Sequence, residues 1–215
     1  MSQYIKKLIA QGEHQQLDFK FEISDAKKIA RSLVAFANTD GGRLLIGVKD
    51  NGVIVGVRSD EEVYMIGTAS HLYCKPEVEF TTQNHTVEGK TVVEVIVEPS
   101  KLKPHYAPGK EDNDTAYIRV NDENQVANRV IIKVWERQTQ SKGVYLKYTE
   151  TEQCLLTYIE QFGKVSFSKA CRVAKSSKNK TENMLANFIA LGILEPLFEE
   201  HGVSYKIKTI GNFTF

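Results

Sequence analysis

No apolar run reaches the roughly 18 residues that a membrane-spanning helix needs. The opening Met1-Ser-Gln-Tyr-Ile-Lys-Lys7 also lacks the apolar core of a secretory signal. Cysteine is scarce. Cys74, Cys154 and Cys171 are an odd set that cannot pair off completely, and each sits in an apolar helical pattern where a thiol acts as a small hydrophobe. His71 and Cys74 stand three apart, but no second ligand pair follows at the spacing of a zinc site. There is no Gly-x4-Gly-Lys-Ser/Thr loop, so no ATP site is expected. Internal repeats and low-complexity tracts are absent too. These absences point to a protein of the reducing cytoplasm with no membrane partner.

An excess of charge is also missing. The 28 Lys and Arg nearly balance the 27 Asp and Glu, so the whole chain has no bulk attraction for nucleic acid. The balance shifts along the chain, however. Residues 142–215 carry 10 basic and 7 acidic groups, which makes the C-terminal third mildly basic. At 215 residues with 41% hydrophobic content, the chain can form one large domain or two small ones.

The most informative stretch begins at Gly12. Gln16, Asp18 and Lys20 alternate with Leu17, Phe19 and Phe21, the period-2 pattern of a half-buried strand. Asp18 and Lys20 then share its polar face. A carboxylate and an ammonium so placed can hold a divalent metal and orient a water or phosphate; they can equally be a solvated strand face. Ser24 is the expected cap of a helix over 25–38 that Asp40-Gly41-Gly42 ends. Leu44–Val48 reads as a buried strand, and Asn51-Gly52 turns it into Val53–Val57. A helix over 60–73 precedes strands at 77–83 and 90–98, joined through 84–89. Residues 99–114 form a polar loop with Pro99, Pro104 and Pro108, and in it His105 and Tyr106 are candidates to stack on a base. A strand over 115–120 and a helix over 125–137 complete an α+β domain with a mixed sheet.

The remainder reads differently. Thr151 and Ser166 start helices, and Ser177 or Thr181 starts a third. Residues 192–198 and 203–208 form two short strands. Three helices followed by a two-stranded wing match a winged helix-turn-helix. In that layout Lys175, Ser177, Lys178, Asn179 and Lys180 open the recognition helix, where donors meet phosphates. A dimerisation or protein-docking role fits the same layout.

Three ordered motifs give the first domain a resemblance. They are Glu13-x4-Asp18-Phe-Lys20, Ala35-Phe-Ala-Asn38-Thr39-x-Gly41-Gly42 and Ile46-Gly47-Val48-x-Asp50-x-Gly52, followed by Ala116-Tyr-Ile-Arg119. The domain, taken as residues 8–137, resembles the Schlafen-type AlbA-like domain found in many bacterial regulators, where a winged helix (here 145–208) often follows. The resemblance implies nucleic-acid binding, to DNA or RNA, with no cofactor required, and a DNA-binding transcriptional regulator is the leading expectation. Arg43 and Arg119, at strand ends, are candidates to line a binding cleft. A duplex with two half-sites suits a homodimer. Some animal relatives are metal-dependent RNA-cleaving enzymes using three carboxylates, which fall on Glu13, Asp18 and Asp50. On that alternative the trio holds Mg²⁺ or Mn²⁺ and Lys20 stabilises developing charge. The second acid of the motif is typically Glu, and the animal enzymes have two lobes; this chain has Asp18 and one lobe. A third reading is a module that only oligomerises.

Overall fold

The alternation at Leu17–Lys20 forms a strand, but both of its faces are covered. In a computed structural model, which describes residues 2–57, 59, 61–111, 113–139, 148–199 and 202–209, Leu17, Phe19 and Asp18 are all buried. The first elements are α1 (Ser2–Ile9), β1 (Leu17–Lys20), α2 (Ala26–Asn38), β2 (Gly42–Ile46), α3 (Glu61–Tyr73), β3 (Thr81–Val87) and β4 (Lys90–Val97). The four strands form one mixed sheet in the order β1-β2-β4-β3, with β1 parallel to β2 and the other pairs antiparallel. Period-2 geometry then sorts the side chains. Leu17, Phe19, Leu45 and Val92 join Ile5 in a small core on one face. Leu44, Ile46, Val93 and Val95 meet the apolar side of α2, with Leu33 and Phe36, on the other.

The helix α2 is capped by Asp25, not Ser24; its side chain accepts from the Lys27 and Lys28 amides at 2.9 and 3.4 Å. The expected strand over 53–57 reduces to a bridge between Val48 and Ile54. The β3–β4 connection is also tighter than expected. Glu88 and Gly89 both take positive φ (53° and 75°), so a two-residue turn suffices and Asn84–Val87 stay in the strand.

Two further pieces complete the first unit. They are β5 (Ala107–Pro108) with β6 (Asp114–Thr115), and the hairpin β7 (Tyr117–Val120) with β8 (Glu123–Val126). The chain divides into two compact units, Met1–Ala127 and Asn128–Phe215.

Residues 125 and 126, expected to be helical, pair with β7 instead, because Asn121 accepts a positive φ of 55° at the turn. The helix that follows, α4 (Arg129–Gln138), was expected to close the first domain. Its Val130 and Val134 lie in the core of the second unit. The rest of that unit is α5 (Glu150–Phe162), β9 (Lys164–Ser166), α6 (Phe167–Val173), α7 (Lys178–Ala190), β10 (Leu194–Glu199) and β11 (Gly202–Ile207). Thr149, not Thr151, caps α5, in a box with Glu152. The strand β9 was not expected: it lies between two helices and pairs with β11, giving an antiparallel sheet in the order β10-β11-β9. Most of the connector expected over 138–143, and the domain start at 145, lie outside the described residues. Among the described residues no helix is long and apolar enough to cross a membrane.

Candidate functional site

At Gly12 a positive φ of 71° reverses the chain, and His14 bridges back to Leu17. That reversal sets Glu13 beside β1, which is an edge strand of the sheet. Its carboxylate Oε1 accepts a hydrogen bond from the Phe19 amide at 2.8 Å. Arg119, from β7, donates through Nη2 to the Leu17 carbonyl at 3.3 Å. Lys20 donates through Nζ to the Phe19 carbonyl at 2.8 Å. Three side chains named from the sequence therefore satisfy backbone groups on the open side of an edge strand, the side most exposed to unwanted pairing.

Asp18 sits among them on the α2 face. Its Oδ2 is 2.8 Å from Lys20 Nζ and its Oδ1 is 3.4 Å from Arg119 Nη2. Asp18 and Arg119 are both buried, whereas Lys20 keeps about a third of its side chain in solvent. Arg119 is held further by Asn124, which accepts from Nη1 at 3.1 Å and itself donates to Ser32 Oγ at 2.9 Å. The guanidinium lies 5.3 Å from the centre of the Phe36 ring. Burial, and then a hydrogen bond with Asp18, raise the Glu13 carboxyl above its usual 4.5; the Phe19 amide and Lys20 pull the other way.

Asp50 does not join this group. Asp18 pairs with Leu44 and Lys20 with Ile46, so Asp50 lies beyond the paired stretch, exposed in the turn that follows. Among the described residues no three His, Cys, Asp or Glu side chains gather closely enough to hold a metal ion. Arg43 also lies elsewhere. It alternates onto the α1 face and stands 3.0 Å from the buried Glu94, which also meets His85 Nε2 and Tyr4 Oη, each at 2.8 Å.

Of the expected base-stacking pair, His105 is turned inward. His105 is buried, with Nδ1 2.8 Å from the Pro76 carbonyl and Nε2 2.7 Å from Ser100 Oγ. Burial, with Lys103 nearby, lowers its proton affinity against the pull of that carbonyl. Asn38 fixes the same loop by donating to the His105 and Tyr117 carbonyls at 2.9 Å each. Tyr106 is half-buried, and its backbone pairs with Lys75.

Beside Asp18 opens a cleft of about 760 Å³. Lys20, Lys28, Arg31, Lys110 and Arg119 line it against three acids, Asp18, Glu111 and Asp122. Sequence reasoning missed Lys28, Arg31 and Lys110. The first two, with Ser32, recur at i, i+3 and i+4 on α2, a spacing that places them on one helix face. Lys110 carries no comparable signal.

In the second unit Ser177 caps α7, accepting from the Lys180 amide at 3.4 Å. Lys175 takes a positive φ of 45° just before it. Lys175, Lys178 and Lys180 are exposed, and none forms an ion pair among the described residues. Asn179 is engaged by α4. Lys133 donates to its Oδ1 at 2.6 Å and stands 2.9 Å from Glu182, and Arg137 binds Asn183 and Asn187 at 2.9 and 2.7 Å. One stripe of α7 is thus bonded to α4, while Lys178 and Lys180 lie exposed in its first turn and Lys175 just before it.

A family model described as Schlafen, AlbA_2 matches residues 13–128, just over half of the chain. Two solved structures are similar. One is the crystal structure of the DIP2311 protein from Corynebacterium diphtheriae, 18% identical with a TM-score of 0.47; the match covers 75% of this chain and 40% of that one. The other is the solution structure of the N-terminal domain of a RecG-related protein from Nitrosomonas europaea, 25% identical with a TM-score of 0.39 over 58% of this chain and 90% of that one. This chain thus spans less than half the length of the first. No curated protein matches the chain significantly.

Proposed function

The chain belongs to the Schlafen AlbA_2 family, and on that premise we propose that it is a nucleic-acid-binding protein, a homodimeric DNA-binding transcriptional regulator. In this reading the first unit is the AlbA-like domain and the second a winged helix-turn-helix. One observation carries it. The exposed Lys175, Lys178 and Lys180 stand at the capped start of α7, inside a helix and strand order of α5-β9-α6-α7-β10-β11. Free amides and lysine side chains at a helix N-terminus are donors for phosphate oxygens. Because α4 hydrogen-bonds the side chains of the Asn179–Asn183–Asn187 stripe, base reading falls to the other faces of α7 and to the wing.

The alternative of a metal-dependent nuclease finds less support. Asp18 faces two cations, Asp50 lies in the turn beyond the paired stretch, and no three such ligands gather among the described residues, so the residues do not suit a three-carboxylate divalent site. Their positions fit a structural clasp on β1.

The test is a fluorescence-anisotropy titration of the full chain with labelled duplex DNA at several salt concentrations, beside a variant with the three lysines changed to Glu. Salt-dependent binding that the variant loses is the expected outcome. Equal affinity of the two proteins at low salt would sink the proposal and favour protein docking. A parallel incubation with labelled RNA and Mn²⁺ checks the nuclease; cleavage that Asp18→Asn abolishes while circular dichroism shows the variant folded would replace the regulator reading.

A further inference from the structure

The two edges of the four-stranded sheet are treated differently. The backbone of β1 is clasped by Glu13, Lys20 and Arg119. The opposite edge, β3, has no such cover. Because Val87 and Lys90 flank a two-residue turn, they form a hydrogen-bonded pair, and alternation extends that pattern to His85, Gln83 and Thr81. The backbone N–H and C=O groups of Thr82, Asn84 and Thr86 therefore point away from β4. Among the described residues those groups meet no partner. All three side chains are exposed.

Edges that must stay single usually carry Lys, Pro or a bulge. The segment Thr81-Thr-Gln-Asn-His-Thr-Val87 has no Lys, Arg, Asp or Glu, no proline, and three threonines and a valine that favour strands. Its two ends differ in charge. Glu77, Glu79 and Glu98 surround a shallow depression at the start of β3. Lys90 follows its end, with its Nζ donating to the Ile54 carbonyl at 2.7 Å, and Lys6 of α1 pairs with Glu88 of the turn at 2.6 Å. A two-fold axis at Asn84 would pair the strands antiparallel, bringing the acidic start of each against the lysine-bearing end of the other. Tyr64 of α3, 78% exposed, lies next to Thr82 and Asn84 and would flank the joint.

We propose that β3 is a homodimer interface, joining two copies of this chain by antiparallel β3–β3 pairing into one continuous sheet. This rests on the homodimer in the function proposed above and names its surface. The pairing is isologous, as a two-fold dimer requires, and the main-chain bonds supply affinity while the charged ends set register.

The decisive variant is Asn84→Pro in the full chain. It deletes an N–H that points away from β4, so the hairpin keeps its ladder while the joint loses a donor and gains a ring. Sedimentation equilibrium should report a dimer for the wild type and a monomer for Asn84→Pro, with unchanged circular dichroism. A second variant, Thr82→Lys with Thr86→Lys, guards against misfolding of the first and should also be monomeric. Glu79→Lys should weaken the dimer severalfold, and adding Lys90→Glu should restore it. A monomeric wild type at about 100 μM, far above the Kd of a stable interface, or dimers that survive both edge variants, would overturn the inference. The DNA titration is read separately. Binding by a monomeric wild type leaves the nucleic-acid reading standing without this interface, and a β3 dimer without DNA binding does the reverse.

Discussion

Arg119 Nη2 lies 3.4 Å from Asp18 Oδ1, and neither side chain has more than 5% of its surface in solvent. A buried pair of this kind is weak evidence of net stabilisation, since desolvation offsets most of the attraction. Removing one partner is different, because a charge is left in low dielectric without its counterion. The pair also joins two separate parts of the first unit, β1 and the β7–β8 hairpin.

Asp18→Asn is therefore expected to destabilise the protein by about 3–5 kcal/mol, the range for breaking a buried pair. Urea unfolding measures it. Lys20, being partly solvated, matters less, and Lys20→Met should cost under about 1 kcal/mol. An Asp18→Asn variant as stable as the wild type would show that the carboxylate is held for something other than the fold.

Glu13 gives a prediction in pH. Its folded-state proton affinity is raised, mainly by burial and by its hydrogen bond with Asp18. The folded state then holds a proton that the unfolded chain has lost. The stability from this group is full below its usual 4.5 and disappears as pH rises through the higher folded value. Glu13→Gln stays neutral, donating to Asp18 while accepting from the Phe19 amide. Its stability relative to the wild type should thus rise between about pH 4 and pH 7. Urea midpoints at the two pH values test this, and a constant difference would refute it.

Much of this arrangement could be read from residues alone. The Asp18/Lys20 alternation placed β1, and the Ala35–Gly42 motif placed the end of α2 and the strand after it, because their local chemistry determines them. What failed was the environment of the polar face. Period 2 says that Asp18 and Lys20 share a side, but only the return of β7, a hundred residues later, decides whether that side sees water. His105 misled for the same reason: proline-flanked loops usually lie at the surface, yet Asn38 ties this one inward. The helix α4 was misplaced because an amphipathic stripe shows that a face will be buried, not which core receives it. β9 was missed because a three-residue strand is too short for any period to show.

Gly42 explains why the Phe36 motif ends in glycines. A Cβ on Gly42 would stand 2.4 Å from the Phe36 ring, whose other neighbour is the Arg119 guanidinium. The ring is wholly buried. Gly42→Ala should cost about 1–3 kcal/mol by overpacking, and Phe36→Ala about 3–5 kcal/mol through the cavity it leaves. If the clash is the cause, combining Gly42→Ala with Phe36→Leu should cost less than the sum of the single changes. Strict additivity in thermal or urea unfolding would remove the argument.

The first unit's cleft and the lysines of α7 are both basic, and salt dependence can assign the nucleic-acid contact between them. Each phosphate neutralised on binding, with release of its counterions, contributes about 0.9 to the magnitude of the slope of log K against log salt on duplex DNA. Changing Lys175, Lys178 and Lys180 singly to Ala should lower that slope by about one unit each if each lysine meets one phosphate. Lys28→Ala and Lys110→Ala, both at exposed positions lining the cleft, should leave the slope unchanged if the second unit holds the duplex. The reverse pattern, with the slope lost in the cleft variants and kept in the α7 variants, would move the interface to the AlbA-like domain. It would also make α7 a protein-contact helix, consistent with the stripe that α4 already bonds. Measurement between about 50 and 200 mM salt spans the range in which such slopes are large, and circular dichroism of each variant guards against loss of fold.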